Sequence, residues 1–300
     1  FLFKLIELNK IVKTSNIKNI HAHTQKAGLL AAFLKLFIFD IVIIYTPHGL
    51  RHTQLNFIKK IFHFLAELFI FSVTNNIIII SEFEKNIMKR NILLKKFKYI
   101  YIPTAIKTPK IPRKNKYNLK ENFRINKKSK VIISIANLEV IKQPYLFFNI
   151  AEEVLKKNSN LSFVFVGKFI DPQFKKLKNK NKKIIFTGFI KNKILLSYLS
   201  QANFFLNTSL FETKSLSILE SLSLGVPVIC NNFSGSNELI KNNKTGYIYN
   251  YNDVNSAVSI IDHYLKDEKK LKRIRVIQNF KKISNFKNFY KSYKQVYLNF

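Results

Sequence analysis

Short apolar runs alternate along the chain with longer stretches in which apolar positions recur every three to four residues, the pattern of β-α units built on a parallel sheet. The runs predict strands at 17–22, 41–46, 77–80 and 99–102. Helices are expected over 1–13, 26–37, 55–71 and 82–90, the last capped by Ser81. From Pro103 to Lys130 the pattern dissolves into Pro103, Pro109, Pro112 and a run of Lys and Asn, which is linker composition. Alternation then restarts, with strands predicted at 131–136, 161–166, 184–187, 202–206 and 226–230, and helices near 143–156, 172–177, 191–199 and 215–224. From Asn252 onward the chain reads as helical. The expected division is an α/β domain over 1–103, a linker over 104–130, a second α/β domain over 131–265 and C-terminal helices over 266–300. Two doubly wound, Rossmann-like domains of this kind bind ligands at the carboxyl ends of their strands, around a shared cleft.

Composition changes the picture in three ways. Hydrophobic residues make up 47% of 300, which excludes a disordered polymer and supplies a large core. Fifty-one Lys plus Arg against 17 Asp plus Glu leave a formal charge of +34, a field that attracts phosphates and anionic lipid surfaces. The arginines are only Arg51, Arg90, Arg113, Arg124, Arg273 and Arg275, unclustered, so no specific nucleic-acid partner is expected. Cys230, the single cysteine, excludes an internal disulfide and suits a reducing compartment. The apolar stretches 28–45 and 61–73 are broken by Lys35 and Asp40 and by His63 and Glu67, so neither reads as a membrane span. The expected setting is cytoplasmic, peripheral on the inner face of the cytoplasmic membrane, docked there by charge.

Candidate chemistry sits at the predicted strand ends. Gly49, Gly167, Gly188 and Gly235 each follow a strand directly or within a few residues, and backbone amides at the helix starts beyond such turns cradle phosphate. Glu212 and Glu220 stand eight residues apart, suited to opposite ends of one elongated ligand, although a helix-start acid and a solvated helix carboxylate read equally from the spacing. His48, between Pro47 and Gly49, lies in a loop rather than a core. His21 and His23 share one face of a strand, with Ala22 on the other, and no carboxylate or cysteine stands near enough in sequence to suggest a metal.

The run from Glu212 through Pro227 resembles the glutamate, seven residues, glutamate motif of the retaining nucleotide-sugar glycosyltransferases of family 4, which have the two-domain GT-B fold. Ala136-Asn137-Leu138 with Lys142, Val166-Gly167, Thr187-Gly188-Phe189, Ser234 to Ile240 and Thr245-Gly246-Tyr247 are similar to further markers of that family, in the same order. In the first half, His21 to Gly28 and Tyr45-Thr46-Pro47-His48-Gly49 resemble its acceptor-side domain. The resemblance implies that Glu220 holds the donor ribose, Glu212 the donor sugar near the reacting centre and Lys142 the diphosphate. It also implies that Asn137, Gly188, Phe189, Ser215, Leu216 and Ser217 border the donor, that His48 faces the sugar or acceptor, and that His23 and Lys26 lie on the acceptor side. A UDP-sugar donor, a lipopolysaccharide, capsule or lipid-linked glycan acceptor, and no metal ion follow from the same resemblance.

The chain departs from the family pattern at four places. Asn137 replaces an arginine, Thr213-Lys214-Ser215 replaces glycine-aromatic-glycine, and Pro103-Thr104-Ala105 lacks Asn-Gly. The opening strand, glycine-rich turn and helix of a complete first domain have no counterpart, so an incomplete N-terminal domain is expected. An inert remnant that binds polyanions through its basic surface is the competing expectation.

Overall fold

The structure is a computed structural model that describes residues 1–50, 57–110, 117–266 and 271–298. The chain folds into two compact units, one of residues 1–104 together with 286–300, the other of residues 105–285. The helix start expected at 55 and linker residues 111–116 lie outside the described residues.

Unit 1 alternates α1 (Leu2–Thr14), β1 (Asn19–His23), α2 (Gln25–Lys35), β2 (Val42–Thr46), α3 (Phe57–Val73), β3 (Asn76–Ile79), α4 (Glu82–Arg90) and β4 (Tyr99–Tyr101). The strands are parallel in the order β1-β2-β3-β4. Their side chains divide with period two. Ile43, Tyr45, Ile77 and Ile79 join Ala31, Leu34, Ile70, Phe71 and Met88 of the helices. On the other face Ile44, Ile78, Ile80 and Ile102 meet Val296, with Phe289 and Tyr293 packed beside it. Ser81 caps α4 by accepting from the Glu84 amide at 3.1 Å, as its position before an acidic first turn predicts.

Unit 2 contains α5 (Leu119–Asn122), β5 (Lys130–Ile135), α6 (Pro144–Lys157), β6 (Leu161–Val166), β7 (Ile184–Gly188), α7 (Asn192–Gln201), β8 (Phe204–Asn207), α8 (Leu216–Ser223), β9 (Val228–Asn231), α9 (Ser236–Leu239), β10 (Gly246–Tyr249), α10 (Val254–Lys266) and α11 (Arg273–Ile283). The parallel sheet runs β10-β9-β8-β5-β6-β7, so successive strands step one way from β5 to β7 and the other way from β8 to β10. The order reverses between β5 and β8, and the crevice beyond the carboxyl ends of those two strands is where an open α/β sheet binds ligand. Its strands are apolar on both faces because helices cover both. Ile132, Phe163 and Phe204 pack towards α6 and α10, while Val131, Val164 and Phe205 pack towards α7, α8 and α11.

Three parts of the expected division change. The segment 266–300 is not one appendage: α11 packs Val276 and Phe280 into unit 2, whereas α12 (Phe286–Leu298) supplies Val296 to unit 1, because each helix carries an apolar stripe matched to a different sheet face. The later part of the expected linker is core, since Leu119 and Ile125 are buried in unit 2 and the Leu119 amide donates to Gln201 Oε1 at 2.9 Å. Finally, β10 adds an edge strand that the four-residue run Gly246-Tyr247-Ile248-Tyr249 was too short to announce, and residues 172–177 form a 3-10 turn.

Candidate functional site

The loops leaving β5 and β8 are tied together. The Leu210 amide donates to Ile141 O at 2.9 Å and Thr208 Oγ1 to Lys142 O at 2.8 Å, so two loops remote in sequence are held against each other. This lacing sets Lys142 Nζ 2.8 Å from Glu212 Oε1 at the point where the strand order reverses. Ser209 Oγ donates to the same Glu212 oxygen at 3.1 Å, and Asn231 Nδ2 donates to Ser209 O at 3.1 Å, so the end of β9 braces the loop as well. Both side chains of the ion pair are mostly shielded from solvent, which strengthens it relative to a surface pair.

Glu212 stands in the loop ahead of α8 rather than on it, and Ser215 and Leu216 begin the helix. No side chain caps that terminus and no acid occupies its first turn, which leaves its amide dipoles available to an anion. Ser215 Oγ and Ser217 Oγ lie 3.2 Å apart. The helix buries Ile218, Leu219 and Leu222, so Leu216, Ser217 and Glu220 remain on its outer side. Among the described residues the Glu220 carboxylate has no hydrogen-bond or ion-pair partner, and partial burial raises its pKa. A half-buried acceptor without a donor is a site for ligand hydroxyls.

Gly235 explains how the following loop reaches the Glu212 segment: a Cβ there would stand 2.2 Å from Thr213 O, a distance only glycine tolerates. Lys214 Nζ then pairs with Glu238 Oε2 at 3.4 Å. At the end of β7, Gly188 adopts φ +80 with open space around it, and Phe189 is exposed with Lys168 Nζ 4.9 Å from its ring centroid. Asn137 is exposed after β5.

In unit 1 the histidines gather at the carboxyl ends of β1 and β2. His23 Nδ1 lies 2.8 Å from His48 Nε2, and the His21 and His23 ring centroids are 4.0 Å apart. His21 Nε2 hydrogen bonds Thr46 Oγ1 at 2.9 Å, and its Nδ1 meets Tyr297 of α12 at 2.5 Å. Burial, then the neighbouring His23 and His48, lower the His21 pKa to about 4; burial likewise lowers His23 and His48, so the cluster is neutral at pH 7. One shared proton joins His23 to His48, so the outer nitrogens of the pair present one donor and one acceptor. His48 takes φ +52, followed by Gly49 at φ +114, and the buried carboxylate of Glu84 holds that turn by accepting from the Gly49 amide at 2.5 Å and the Ile80 amide at 3.0 Å. Lys26 is exposed on the first turn of α2.

Lys142, Glu212 and the start of α8 thus come together at one point of unit 2, with Glu220 farther along that helix. His23 and His48 come together in unit 1. Sequence reasoning missed Lys168, Ser209 and Glu84; the polar trio Asn207-Thr208-Ser209 directly after an apolar strand was the one signal available for Ser209. Among the described residues no group of three or more His, Cys, Asp or Glu is arranged to hold a metal ion, and no helix is long and apolar enough to cross a membrane.

The family model of the glycosyl transferases group 1 matches residues 115–282. The UDP-Gal:alpha-D-GlcNAc-diphosphoundecaprenol alpha-1,3-galactosyltransferase of Escherichia coli is 26% identical over 305 residues, covering 95% of this chain and 78% of that protein. The O-antigen biosynthesis glycosyltransferase WbnH of Escherichia coli is 25% identical over 239 residues, covering 80% and 65%. Among solved structures, Anabaena Alr3699/HepE in complex with UDP-glucose superposes with a TM-score of 0.81 at 16% identity, covering 99% of this chain and 82% of that one. Sucrose-phosphate synthase of Thermosynechococcus elongatus gives 0.80 at 17% identity, covering 98% and 76%. These likenesses show the fold, α/β with parallel sheets, of the GT-B type.

Proposed function

The chain belongs to the group 1 glycosyl transferases, and from that premise we propose that it transfers a hexose or N-acetylhexosamine from a UDP-sugar, with retention at the anomeric carbon, to a surface-glycan or lipid-linked glycan acceptor at the cytoplasmic face of a membrane. The observation that carries this reading is the Lys142–Glu212 pair at the reversal of strand order, followed by Glu220 on α8, whose carboxylate has no partner among the described residues. The donor spans these groups: Glu220 accepts from the ribose hydroxyls, Ser215, Leu216 and Ser217 offer the helix start to the diphosphate, and Lys142 neutralises charge growing on the departing phosphate. Glu212 holds Lys142 and meets the sugar, while Asn137, Gly188 and Phe189 border the donor. His48 contacts sugar or acceptor, with His23 and Lys26 on the acceptor side. Cationic and dipolar groups of the chain supply the charge stabilisation, so no metal ion is invoked. The E. coli relative's name specifies UDP-Gal and a diphosphoundecaprenol acceptor, and the Anabaena structure holds UDP-glucose, which supports the donor and acceptor classes.

The test is a thermal-shift titration with UDP, GDP, ADP and CMP at fixed ionic strength, with pyrophosphate as the charge control. A hundredfold excess over Kd adds roughly 2.7 kcal/mol, a readily measured shift. UDP is expected to stabilise where pyrophosphate does not, and Glu220→Ala to remove the difference. Equal shifts for every anion would instead favour the inert polyanion-binding reading, for which Asn137 in place of an arginine is the specific observation. Turnover of a UDP-sugar by the purified chain would eliminate that alternative.

A further inference from the structure

The first half of α3, residues 57–65, carries a surface that the donor and acceptor chemistry leaves unexplained. Phe57 is 76% exposed, Ile58 82%, Ile61 46%, Phe62 69% and Leu65 59%. Positions 57, 61 and 65, with 58 and 62 beside them, repeat every four residues and so form one continuous stripe on the helix. Lys59 and Lys60 are exposed on its two flanks, and no acidic residue occurs between Phe57 and Ala66. The stripe also overhangs its own unit. Gln25 Nε2, on the first turn of α2, donates to His63 O at 2.6 Å, which places His63 level with the carboxyl end of β1. The six residues before it extend the helix by roughly 9 Å beyond that level, on the same side of unit 1 as His23, Lys26 and His48.

We propose that this half of α3 is a docking face for an anionic lipid surface, the apolar stripe entering the headgroup boundary and Lys59 and Lys60 pairing with lipid phosphates. The inference deepens the acceptor reading above and rests on it: a sheet end seated on the bilayer meets an acceptor whose lipid tail is anchored there. Charge selects the occupant. A second copy would bring two chains of +34 together, whereas an anionic bilayer is complementary to the flanking lysines and takes up the apolar side chains.

The chain has no tryptophan, so Phe62→Trp provides a single reporter. With vesicles of phosphatidylcholine containing roughly one-third phosphatidylglycerol, its emission is expected to shift to the blue and the chain to co-sediment, with little of either on phosphatidylcholine alone. The triple variant Phe57→Ser, Ile58→Ser, Phe62→Ser should lose about tenfold or more of the partitioning while its thermal response to UDP is kept, which separates this proposal from the donor reading. Lys59→Ala with Lys60→Ala should also weaken the partitioning, whereas Lys178→Ala with Lys182→Ala, which removes as much charge from exposed positions of unit 2, should leave most of it intact. Unshifted emission, a triple variant that partitions like the wild type, or an equal loss in the unit 2 control would overturn the proposal. So would sedimentation velocity showing a dimer that the triple variant splits, which would assign the face to a second copy.

Discussion

Glu84 and Glu67 are the two buried acids of unit 1, and each does a job invisible in the sequence. Both Glu84 oxygens accept backbone amides, one from Gly49 and one from Ile80, so the turn that carries His48 hangs on a carboxylate 35 residues downstream of it. Glu84→Gln leaves an amide group facing an N–H donor, a loss of about 1–3 kcal/mol. The expected outcome is a lower urea midpoint for the variant with its UDP response unchanged, since the proposed UDP site lies in unit 2. Glu67 accepts from Tyr45 OH at 2.9 Å and from Gln25 Nε2 at 2.6 Å, yet burial still raises its pKa to about 7. The native state therefore holds a proton that the unfolded chain releases near 4.5, and this contribution to stability falls as pH rises from 4.5 to 7, then stays level. Unfolding curves of wild type and Glu67→Gln, taken across that window, should diverge in the variant's favour by at most about 3 kcal/mol; parallel curves would sink the assignment. Neither role was legible beforehand, because Glu67 read only as an interruption of an apolar stretch and its partners lie 22 and 42 residues away.

At the level of elements, every strand but the edge strand β10 was read to within two residues or so, because parallel strands buried on both faces are continuous apolar runs bounded by polar loops. The loops between them were legible only where a glycine or an acid marked them. Lys142 and Glu212 were picked out separately; that they pair follows from the reversal of strand order between β5 and β8, which depends on how the sheet is wound. The pair makes a specific prediction at Asn137. If an arginine there adds one charge-assisted contact to the departing diphosphate, worth about 1.5 kcal/mol, Asn137→Arg should raise turnover of the UDP-sugar by roughly tenfold. Initial rates of the two chains at saturating donor decide it, and unchanged rates would place residue 137 outside the diphosphate contact. Gly235→Ala should do the reverse: its methyl group meets Thr213 O, so the Glu212 loop must shift, and weaker UDP stabilisation than in the wild type is expected.

For the whole molecule, sequence patterning located two α/β units but not their membership. Nothing in the periodicity of 286–298 distinguishes a helix that continues unit 2 from one that returns to unit 1, because the apolar stripe is the same and only the partner differs. Removing 286–298 should uncover Ile44, Ile78, Ile80 and Ile102. Scanning calorimetry of the shortened chain is expected to show unit 1 melting earlier, while a transition that UDP raises persists for unit 2; an unchanged profile would mean that α12 contributes little to the core.

That return of α12 also fixes an order of assembly. During synthesis the strands of unit 1 emerge first, yet the helix that covers Ile44 and Ile78 is made only after all of unit 2. The second unit can therefore finish before the first, and for the length of some 180 residues of translation, at roughly 5–20 residues per second, one face of the earlier sheet stays open to water and to chaperones.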